Sequence, residues 1–268
     1  MPLRLPSPLP RGLLAGVVQG QGLLLCLDYD GTLAEITDDP STAWPREGAR
    51  EELQRLTRSH NRLAIAIVTG RSLADLKRLL RIETGIFFSG VHGLELDEPG
   101  KTAVFSADAL ACTSELAAIR RWLVQNIPGD RGFMIEDKRI ALGLHYRRAE
   151  PTEAAEVCER LADFVARETP RLKLLRLKML AEVMPRVASK ARALVTLKAR
   201  MPRSYLTAYF GDDATDEDAL AALPPEDIGI LVGGARVSHA VYRVDGPGAV
   251  VDELRALDPA GTGVARAF

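Results

Sequence analysis

The chain has 268 residues, enough for a large hydrophobic core and for two domains. Apolar residues make up 47% and charged residues 26%, which is the composition of an ordinary globular protein. Lys and Arg number 35 and Asp and Glu 36, a net charge of −1, so no basic excess indicates nucleic-acid or membrane binding. The three cysteines, Cys26, Cys112 and Cys158, are scattered and odd in number, which favours free thiols in a reducing cytoplasm.

The N-terminal segment 1–20 begins with the Pro-rich stretch MPLRLPSPLPRG, and we expect it to be disordered. The apolar patch from Leu13 to Val18 is too short to span a membrane and lacks a small-residue cleavage site. We therefore expect neither a signal peptide nor a membrane span.

After residue 20, short apolar runs alternate with amphipathic segments, a pattern that predicts a parallel, doubly wound α/β sheet. The predicted elements are strand 23–27, a helix at about 46–58, strand 63–68, a helix at about 72–81 and strand 86–89. The alternation returns from Ser189, with strands near 206–210 and 228–232. We assign residues 21–100 and 186–268 to one core domain.

The intervening residues 101–185 follow a different pattern. Two helices, at about 108–126 and 152–168, are each followed by two strands, near 132–136 and 139–147 and at about 172–177 and 179–184. Residues 139–147 alternate between apolar and polar side chains, as in an antiparallel strand with one exposed face. We expect a small α+β cap domain inserted into the core.

Two carboxylates follow the first strand of the core. The segment LLLCLDYDGTL places Asp28 and Asp30 at the carboxyl end of a buried strand, the edge at which open α/β sheets bind ligands. Two neighbouring carboxylates repel each other, and Mg²⁺, which prefers carboxylate oxygens, would relieve the repulsion. An Asp-Gly turn that only ends the strand is the alternative interpretation.

A second carboxylate cluster follows the strand near 206–210, where Asp212, Asp213, Asp216 and Glu217 open a helix. One metal site built by two neighbouring strand ends would account for both clusters. If the helix begins near Ala214, we expect one of these carboxylates to cap it and the others to face outward from its start. The alternative is simply an acidic first turn, which helices favour.

A third signal lies between the clusters, where the strand 63–68 ends in Thr69, Gly70 and Arg71. A hydroxyl group and free backbone N–H groups at the start of a helix favour a phosphate oxygen. A simple turn with a helix cap is the alternative.

Together these segments resemble the motifs of the haloacid dehalogenase (HAD) superfamily of phosphohydrolases. The DxDGT motif is matched by Asp28, Asp30, Gly31 and Thr32, the hydroxyl residue by Thr69, the lysine by Lys190, and GDDxxD by Gly211, Asp212, Asp213 and Asp216. The agreement runs from about residue 20 to about residue 250. The resemblance implies a HAD-like, Rossmann-type core and hydrolysis of phosphate esters.

Further segments resemble the trehalose-6-phosphate phosphatases. The matches are Gly90, His92, Gly93 and Glu95; Glu136, Lys138, His145, Tyr146 and Arg147; and Glu182 with Pro185. The glycine that usually follows the motif lysine is replaced by Ala191. The resemblance implies substrate binding by Gly70, Arg71, His92, Glu136, Lys138 and Glu182. A surface charge pair is the alternative for Glu136 and Lys138, and solvated strand positions remain open for His145, Tyr146 and Arg147.

The resemblance also implies a mechanism. Asp28 attacks phosphorus to form an aspartyl-phosphate, and Asp30 protonates the departing sugar oxygen and then activates water. Mg²⁺ is the implied cofactor, bound by Asp28, the backbone carbonyl of Asp30 and Asp212, with Asp213 or Asp216 completing or orienting the shell. Thr69 and Lys190 hold the non-bridging phosphate oxygens.

We therefore expect a cytoplasmic, monomeric trehalose-6-phosphate phosphatase that acts on a small sugar phosphate and has no nucleic-acid or membrane partner. One alternative is a phosphatase for sucrose phosphate or glucosylglycerol phosphate, because the core cannot choose the sugar and only the cap can. The other is a catalytically silent sugar-phosphate-binding or regulatory module. The intact set Asp28, Asp30, Thr69, Lys190 and Asp212 argues against a silent module.

Overall fold

The computed structural model of the protein describes residues 2–59, 62–127 and 131–257. The chain forms two compact units, one from the residues up to Ala103 and from Ser189 onward, the other from Val104–Ala188. Parts of the predicted domains, namely residue 1, 60–61, 128–130 and 258–268, lie outside the described residues.

The chain runs through the first unit, then the second, and returns. The first part contains β1 (Ser7–Pro8), α1 (Leu13–Gly20), β2 (Leu23–Leu27), α2 (Ala49–Ser59), β3 (Leu63–Val68), α3 (Leu73–Leu80), β4 (Phe87–Gly90) and β5 (Glu95–Asp97). The second unit contains β6 (Val104–Phe105), α4 (Ala107–Ala111), α5 (Thr113–Asn126), β7 (Met134–Asp137), β8 (Leu142–His145), α6 (Pro151–Glu168), β9 (Leu172–Leu177) and β10 (Leu180–Pro185). The returning part contains α7 (Lys190–Lys198), β11 (Leu206–Gly211), α8 (Ala214–Ala222), β12 (Ile228–Val232), β13 (Tyr242–Val244) and α9 (Pro247–Ala256).

The strands of the first unit form a mostly parallel sheet in the order β1-β13-β12-β11-β2-β3-β4-β5, with β5 antiparallel to β4. Alternate residues of β2 belong to two separate hydrophobic clusters, because apolar side chains cover both faces of the sheet. Leu27 pairs with Phe210 of β11 and with Ile67 of β3. The residues that follow these three strands therefore share one edge of the sheet, and the predicted doubly wound α/β class is confirmed.

The N-terminal segment differs from the expectation of disorder at 1–20. β1 pairs in parallel with β13, and α1 buries Leu14 and Val18 in the core. Burying side chains of this size contributes about 1.5–3 kcal/mol each, which offsets the entropy of ordering a short helix. The described residues contain no helix that is both long enough and apolar enough to cross a bilayer.

The second unit has an antiparallel sheet in the order β7-β8-β10-β9. One face contributes Leu142, Leu144, Ala181 and Val183 to a core shared with α5 and α6. The predicted strand 139–147 is shorter in the structure, because Arg139 adopts a φ of 68° and donates its N–H to the Asp137 carboxylate in the hairpin turn. The predicted helix 108–126 is interrupted at Cys112, which separates α4 from α5.

Candidate active site

A buried ion pair lies where β2 ends. Asp28 follows β2 directly, and its backbone N–H donates to the carbonyl oxygen of Phe210 at 2.9 Å. The Nζ of Lys190 lies 2.9 Å from Oδ1 of Asp28. The Asp28 and Lys190 side chains are only 5% and 3% exposed, so their charges are stabilised by each other and by the rest of the site, not by water.

Lys190 lies at the start of a helix, as predicted, although alanine follows it where the family has glycine. Ser189 caps α7 by accepting the backbone N–H of Arg192. Burial alone favours the neutral amine, but the carboxylates of Asp216 and Asp28 outweigh it and raise the pKa of Lys190. Lys190 therefore remains an ammonium ion beside the carboxylates.

Asp213 and Asp216 are held by the start of α8. Asp213 is the N-cap residue, and its side chain accepts the backbone N–H groups of Thr215 and Asp216. Asp216 completes a capping box and is fully buried, so the expectation that the carboxylates other than the cap face outward is wrong for Asp216.

The carboxylate of Asp216 receives four donors. Lys190 Nζ donates to Oδ1 at 2.8 Å, and the hydroxyl of Tyr209 donates to the same oxygen. The backbone N–H groups of Asp212 and Asp213 each donate to Oδ2 at 3.1 Å. The sequence predicted Tyr209 only as part of an apolar strand and not as a site residue. A buried tyrosine hydroxyl needs a polar partner, and this requirement could have identified it.

Asp28, Asp212 and Asp216 each offer a carboxylate oxygen within 4.8 Å of the others, a donor set suited to a hard divalent cation. Among the described residues, Oδ1 of Asp212 is buried with no hydrogen-bond partner. Burial and the charges of Asp216 and Asp213 raise the pKa of Asp212 to about 7. The nearby positive charge therefore does not fully compensate these carboxylates. A bound cation would supply the missing charge, so the residues fit a cation site.

The turn after Asp30 approaches Asp212 closely. Gly31 has a φ of 78°, and a Cβ at this position would lie 2.0 Å from Oδ2 of Asp212. Only glycine combines this backbone conformation with so short an approach. Glycine at position 31 is therefore required by the packing of the two acidic segments as well as by the turn itself.

Asp30 pairs with Arg71, a residue predicted from a different motif. Nε and Nη2 of Arg71 donate to Oδ2 and Oδ1 of Asp30 at 2.7 and 2.6 Å. Nη1 donates to Asp75 at 2.5 Å, and the guanidinium lies over the ring of Tyr29, 5.5 Å from its centre. All three nitrogens thus already donate to protein carboxylates. Asp75 was missed in the sequence, although it stands four residues after Arg71 at the start of a helix.

Thr69 and Gly70 form a turn that packs against His92. Thr69 Oγ1 accepts the backbone N–H of Arg71 at 3.2 Å, and the Thr69 carbonyl accepts that of His92 at 3.0 Å. A Cβ on Gly70 would lie 2.6 Å from Nε2 of His92. Val91 and His92 have φ values of 44° and 52°, rare for such residues. His92 is only 5% exposed, and its ring packs against Gly70 of the turn.

The predicted sugar-binding residues form one polar cluster in the second unit. Lys138 Nζ lies 2.7 Å from Glu182 Oε1 and 3.9 Å from Glu136 Oε2, and His145 Nε2 lies 2.8 Å from the same Glu136 oxygen. Lys138 is only 6% exposed although Glu136 is 34% exposed, so these two residues do not form the exposed surface pair of the alternative interpretation; Lys138 lies closer to Glu182, which is 1% exposed. His145, which the sequence left open, belongs to this cluster.

Gly143 lies between the two glutamates of the cluster. It pairs with Glu136 on one side and with Glu182 on the other. A Cβ on Gly143 would lie 3.4 Å from Oε2 of Glu136. Burial tends to raise the pKa of Glu136, but hydrogen bonding by His145 and the charge of Lys138 lower it overall. The face therefore presents carboxylates, an ammonium group and an imidazole around a residue without a side chain.

Comparisons with known proteins place the chain in a family. The Trehalose-phosphatase family profile matches residues 26–247. Trehalose-phosphate phosphatase of Mycobacterium tuberculosis H37Rv is 32% identical over 250 residues, which cover 90% of this chain and 62% of that protein. The chain thus spans less than two thirds of the length of the curated relatives that it matches.

Solved structures share the fold. The C-terminal domain of Candida albicans trehalose-6-phosphate phosphatase superimposes with a TM-score of 0.76 at 24% identity, covering 95% of this chain and 98% of that one. The C-terminal domain of the Candida albicans trehalose synthase regulatory protein gives 0.72 at 13% identity, covering 95% and 99%. Because the family profile matches most of its length, the chain belongs to the trehalose-phosphatase family of the HAD superfamily.

Proposed function

We propose that the protein hydrolyses trehalose 6-phosphate to trehalose and phosphate through an aspartyl-phosphate on Asp28. The observation that carries the proposal is the buried set of Asp28, Lys190 and Asp216 at the end of β2, in a chain of this family. A charged lysine beside a nucleophilic carboxylate lowers the repulsion between that carboxylate and a phosphate dianion. The relatives that carry the name trehalose-phosphate phosphatase support the choice of substrate.

The first step transfers the phosphoryl group. An Oδ atom of Asp28 forms a bond to phosphorus as the bond between phosphorus and the sugar oxygen breaks. Asp30 gives its proton to that oxygen, so trehalose leaves as a neutral alcohol and Asp30 becomes a carboxylate. In the second step Asp30 takes a proton from the water that attacks phosphorus, which releases phosphate and restores Asp28.

We assign the non-bridging phosphate oxygens to Lys190, the hydroxyl of Thr69 and the backbone of Gly70. A turn at the start of α3 supports this assignment, because N–H groups and the helix dipole favour anions there. His92 supports this turn. Direct contact of His92 with substrate stays a prediction. The predicted contact of Arg71 with substrate is untested, and it competes with the hydrogen bonds that Arg71 already donates to Asp30 and Asp75.

The cation we propose is Mg²⁺, held by the carboxylates of Asp28 and Asp212 and by the backbone carbonyl of Asp30. Asp216 is the third residue of the candidate cluster, and with four protein donors it orients the others. Asp213 acts one step further away, as the helix cap that fixes Asp216. When bound, the ion offsets repulsion between the nucleophile and the phosphate.

We assign recognition of the sugar to Glu136, Lys138 and Glu182, together with His145. A site that hydrogen-bonds sugar hydroxyls rejects the wrong sugar, because that sugar would leave buried polar groups of the protein without hydrogen-bond partners. This cluster offers both acceptors and donors for such hydrogen bonds. A phosphatase for sucrose phosphate or glucosylglycerol phosphate is the second candidate, because the same residue types would serve another disaccharide. A cytoplasmic location and a monomeric state stay predictions; Cys26, Cys112 and Cys158 are free and buried.

A silent regulatory module is the remaining alternative, because a trehalose synthase regulatory protein shares the fold. The pairing of Lys190 with Asp28 and the cation-suited set around Asp212 argue against it, since a module that only binds needs no nucleophile.

The test is phosphate release from trehalose 6-phosphate, sucrose 6-phosphate, glucosylglycerol phosphate and glucose 6-phosphate, with and without Mg²⁺. We expect the highest kcat/KM for trehalose 6-phosphate. Without Mg²⁺ we expect no phosphate release from any of the four substrates. Equal efficiency on all four would leave a general sugar phosphatase, and release from none of them would leave the regulatory module.

A further inference from the structure

We propose that Arg71 is a positioning residue, which holds the carboxyl group of Asp30 in the orientation from which it exchanges protons with the leaving group and with water. This inference rests on the proposed function, because it concerns the acid–base step of that reaction. Arg71 then acts on the reaction through its contact with Asp30, and not by binding the substrate directly as the sequence predicted.

The two side chains meet fork to fork. Nε and Nη2 of Arg71 donate to the two oxygens of Asp30 at 2.7 and 2.6 Å, which is the bidentate arrangement that only a guanidinium can form with a carboxylate. Two parallel hydrogen bonds fix both the position and the plane of the carboxylate. A single ammonium group at the same place would hold one oxygen and leave the plane free to rotate.

Arg71 is itself immobilised. Its remaining nitrogen, Nη1, donates to Asp75 at 2.5 Å, and its guanidinium lies over the ring of Tyr29, 5.5 Å from its centre. The Tyr29 hydroxyl donates to the carbonyl of Ala43 at 2.8 Å, so the ring is fixed as well. The Arg71 side chain is only 11% exposed. The fork is therefore part of the rigid structure, as the support of a catalytic group must be.

Asp30 needs such support more than Asp28 does. Asp28 is 5% exposed and held by Lys190, whereas the side chain of Asp30 is 40% exposed and lies on a turn before Gly31. A half-exposed aspartate on a turn has several rotamers, and proton transfer requires the acid within about 3 Å of the reacting oxygen. Pairing with Arg71 removes that freedom before substrate arrives.

The test exploits the leaving group. Trehalose leaves as an alcohol that must be protonated, whereas 2,4-dinitrophenolate leaves without a proton. We would measure the first step alone, as the single-turnover cleavage of trehalose 6-phosphate and the burst of dinitrophenolate from dinitrophenyl phosphate, for Arg71→Lys, Arg71→Ala and Asp30→Asn. The matched control is Arg78→Lys, because Arg78 also donates to Asp75, at 2.7 Å, but is not among the residues paired with Asp30.

We expect Arg71→Lys to slow the cleavage of trehalose 6-phosphate by about 10–100-fold, within the range of general acid catalysis, and to leave the dinitrophenolate burst within about twofold. Asp30→Asn should show the same selectivity, Arg78→Lys should behave as wild type, and added guanidinium should partly rescue Arg71→Ala on the sugar phosphate alone. Equal losses on both substrates would mean that Arg71 binds the phosphate. No loss on either would mean that Asp30 needs no positioning.

Failure of the proposed function gives a different result. If wild type cleaves another sugar phosphate but not trehalose 6-phosphate, the substrate assignment fails. The Arg71 variants are then compared on that sugar phosphate and on dinitrophenyl phosphate. If wild type cleaves dinitrophenyl phosphate but no alkyl phosphate, both proposals are overturned. If Arg71→Ala does not fold, Arg71→Lys still decides the question.

Discussion

The ammonium group of Lys190 donates to the carboxylate of Asp216 at 2.8 Å, and the two side chains are 3% and 0% exposed. The same ammonium group lies 2.9 Å from Asp28, so one positive charge serves carboxylates from two different strand ends. The stability of the protein and its chemistry therefore depend on the same contact.

Lys190→Met should reduce the free energy of unfolding by about 3–5 kcal/mol, because it leaves buried carboxylates without their counter-charge. Urea denaturation in chelator would measure the loss as a lower midpoint at an unchanged m-value. The control is Asp163→Asn, which removes an exposed pair with Arg167 at 3.3 Å and should change stability by less than about 0.5 kcal/mol. Similar losses in the two variants would contradict a buried ion pair at Lys190.

Asp28→Asn should lower kcat by at least about 10³-fold and leave the fold intact, because an amide cannot form the acyl phosphate. Circular dichroism and the urea midpoint would establish folding, and phosphate release would measure turnover. We expect the midpoint to stay the same or rise in chelator, since one of several repelling carboxylates is removed. A folded Asp28→Asn protein that keeps most of its activity would exclude Asp28 as the nucleophile.

Mg²⁺ should raise the melting temperature of the protein, because an ion that binds only the folded state stabilises it, by about 2.7 kcal/mol at one hundred times its Kd. Asp212→Ala should abolish this shift, and Glu226→Ala, a control in an exposed loop after α8, should not. Phosphate release should stop in chelator and return with added Mg²⁺. If Mg²⁺ does not change the melting temperature of the wild-type protein, the proposed cation site is wrong.

Glu182→Gln should lower kcat/KM for trehalose 6-phosphate by about 10²-fold and leave p-nitrophenyl phosphate within about twofold. The amide keeps the shape of the side chain but loses the charge that pairs with Lys138, so the sugar hydroxyls meet a disturbed cluster. Glu159→Gln, at an exposed pair with Arg176 in the same unit, is the matched control. Equal losses on both substrates would assign Glu182 to folding and not to the sugar.

Gly93→Ala should destabilise the protein by more than Gly100→Ala. Both glycines have positive φ values, 87° and 76°, but a Cβ on Gly93 would lie 3.0 Å from the carbonyl oxygen of Ser189, whereas nothing lies within 4 Å at Gly100. The conformational penalty of about 1–2 kcal/mol is common to both, so the difference measures the packing of this turn against the start of α7. Equal midpoints in urea would show that the approach to Ser189 has no energetic weight.

Much of the core followed from local sequence. Apolar runs of five and six residues before Asp28 and Thr69, and a shorter run at 208–210 before Gly211, predicted buried parallel strands, and β2 and β3 have the predicted bounds. Parallel strands end at one edge, so the motifs alone indicated that the acidic segments and the Thr69 turn lie near each other. The start of α7 at Lys190 was likewise predicted from the motif.

Tertiary structure alone decided how the charges pair. Arg71 donates to Asp30, 41 positions away, and Lys138 donates to Glu182, 44 positions away; no local periodicity encodes such contacts. The roles of Asp213 and Asp216 depend on which carboxylate the folded core buries, and the sequence presents them as equal members of one acidic turn. Tertiary packing also explains why α1 is folded where the sequence predicted disorder. Leu14 and Val18 are buried in a core whose other members lie outside the first twenty residues. Local sequence determines which groups reach the edge of the sheet, whereas the pairing of those groups depends on distances that exist only after the chain has packed.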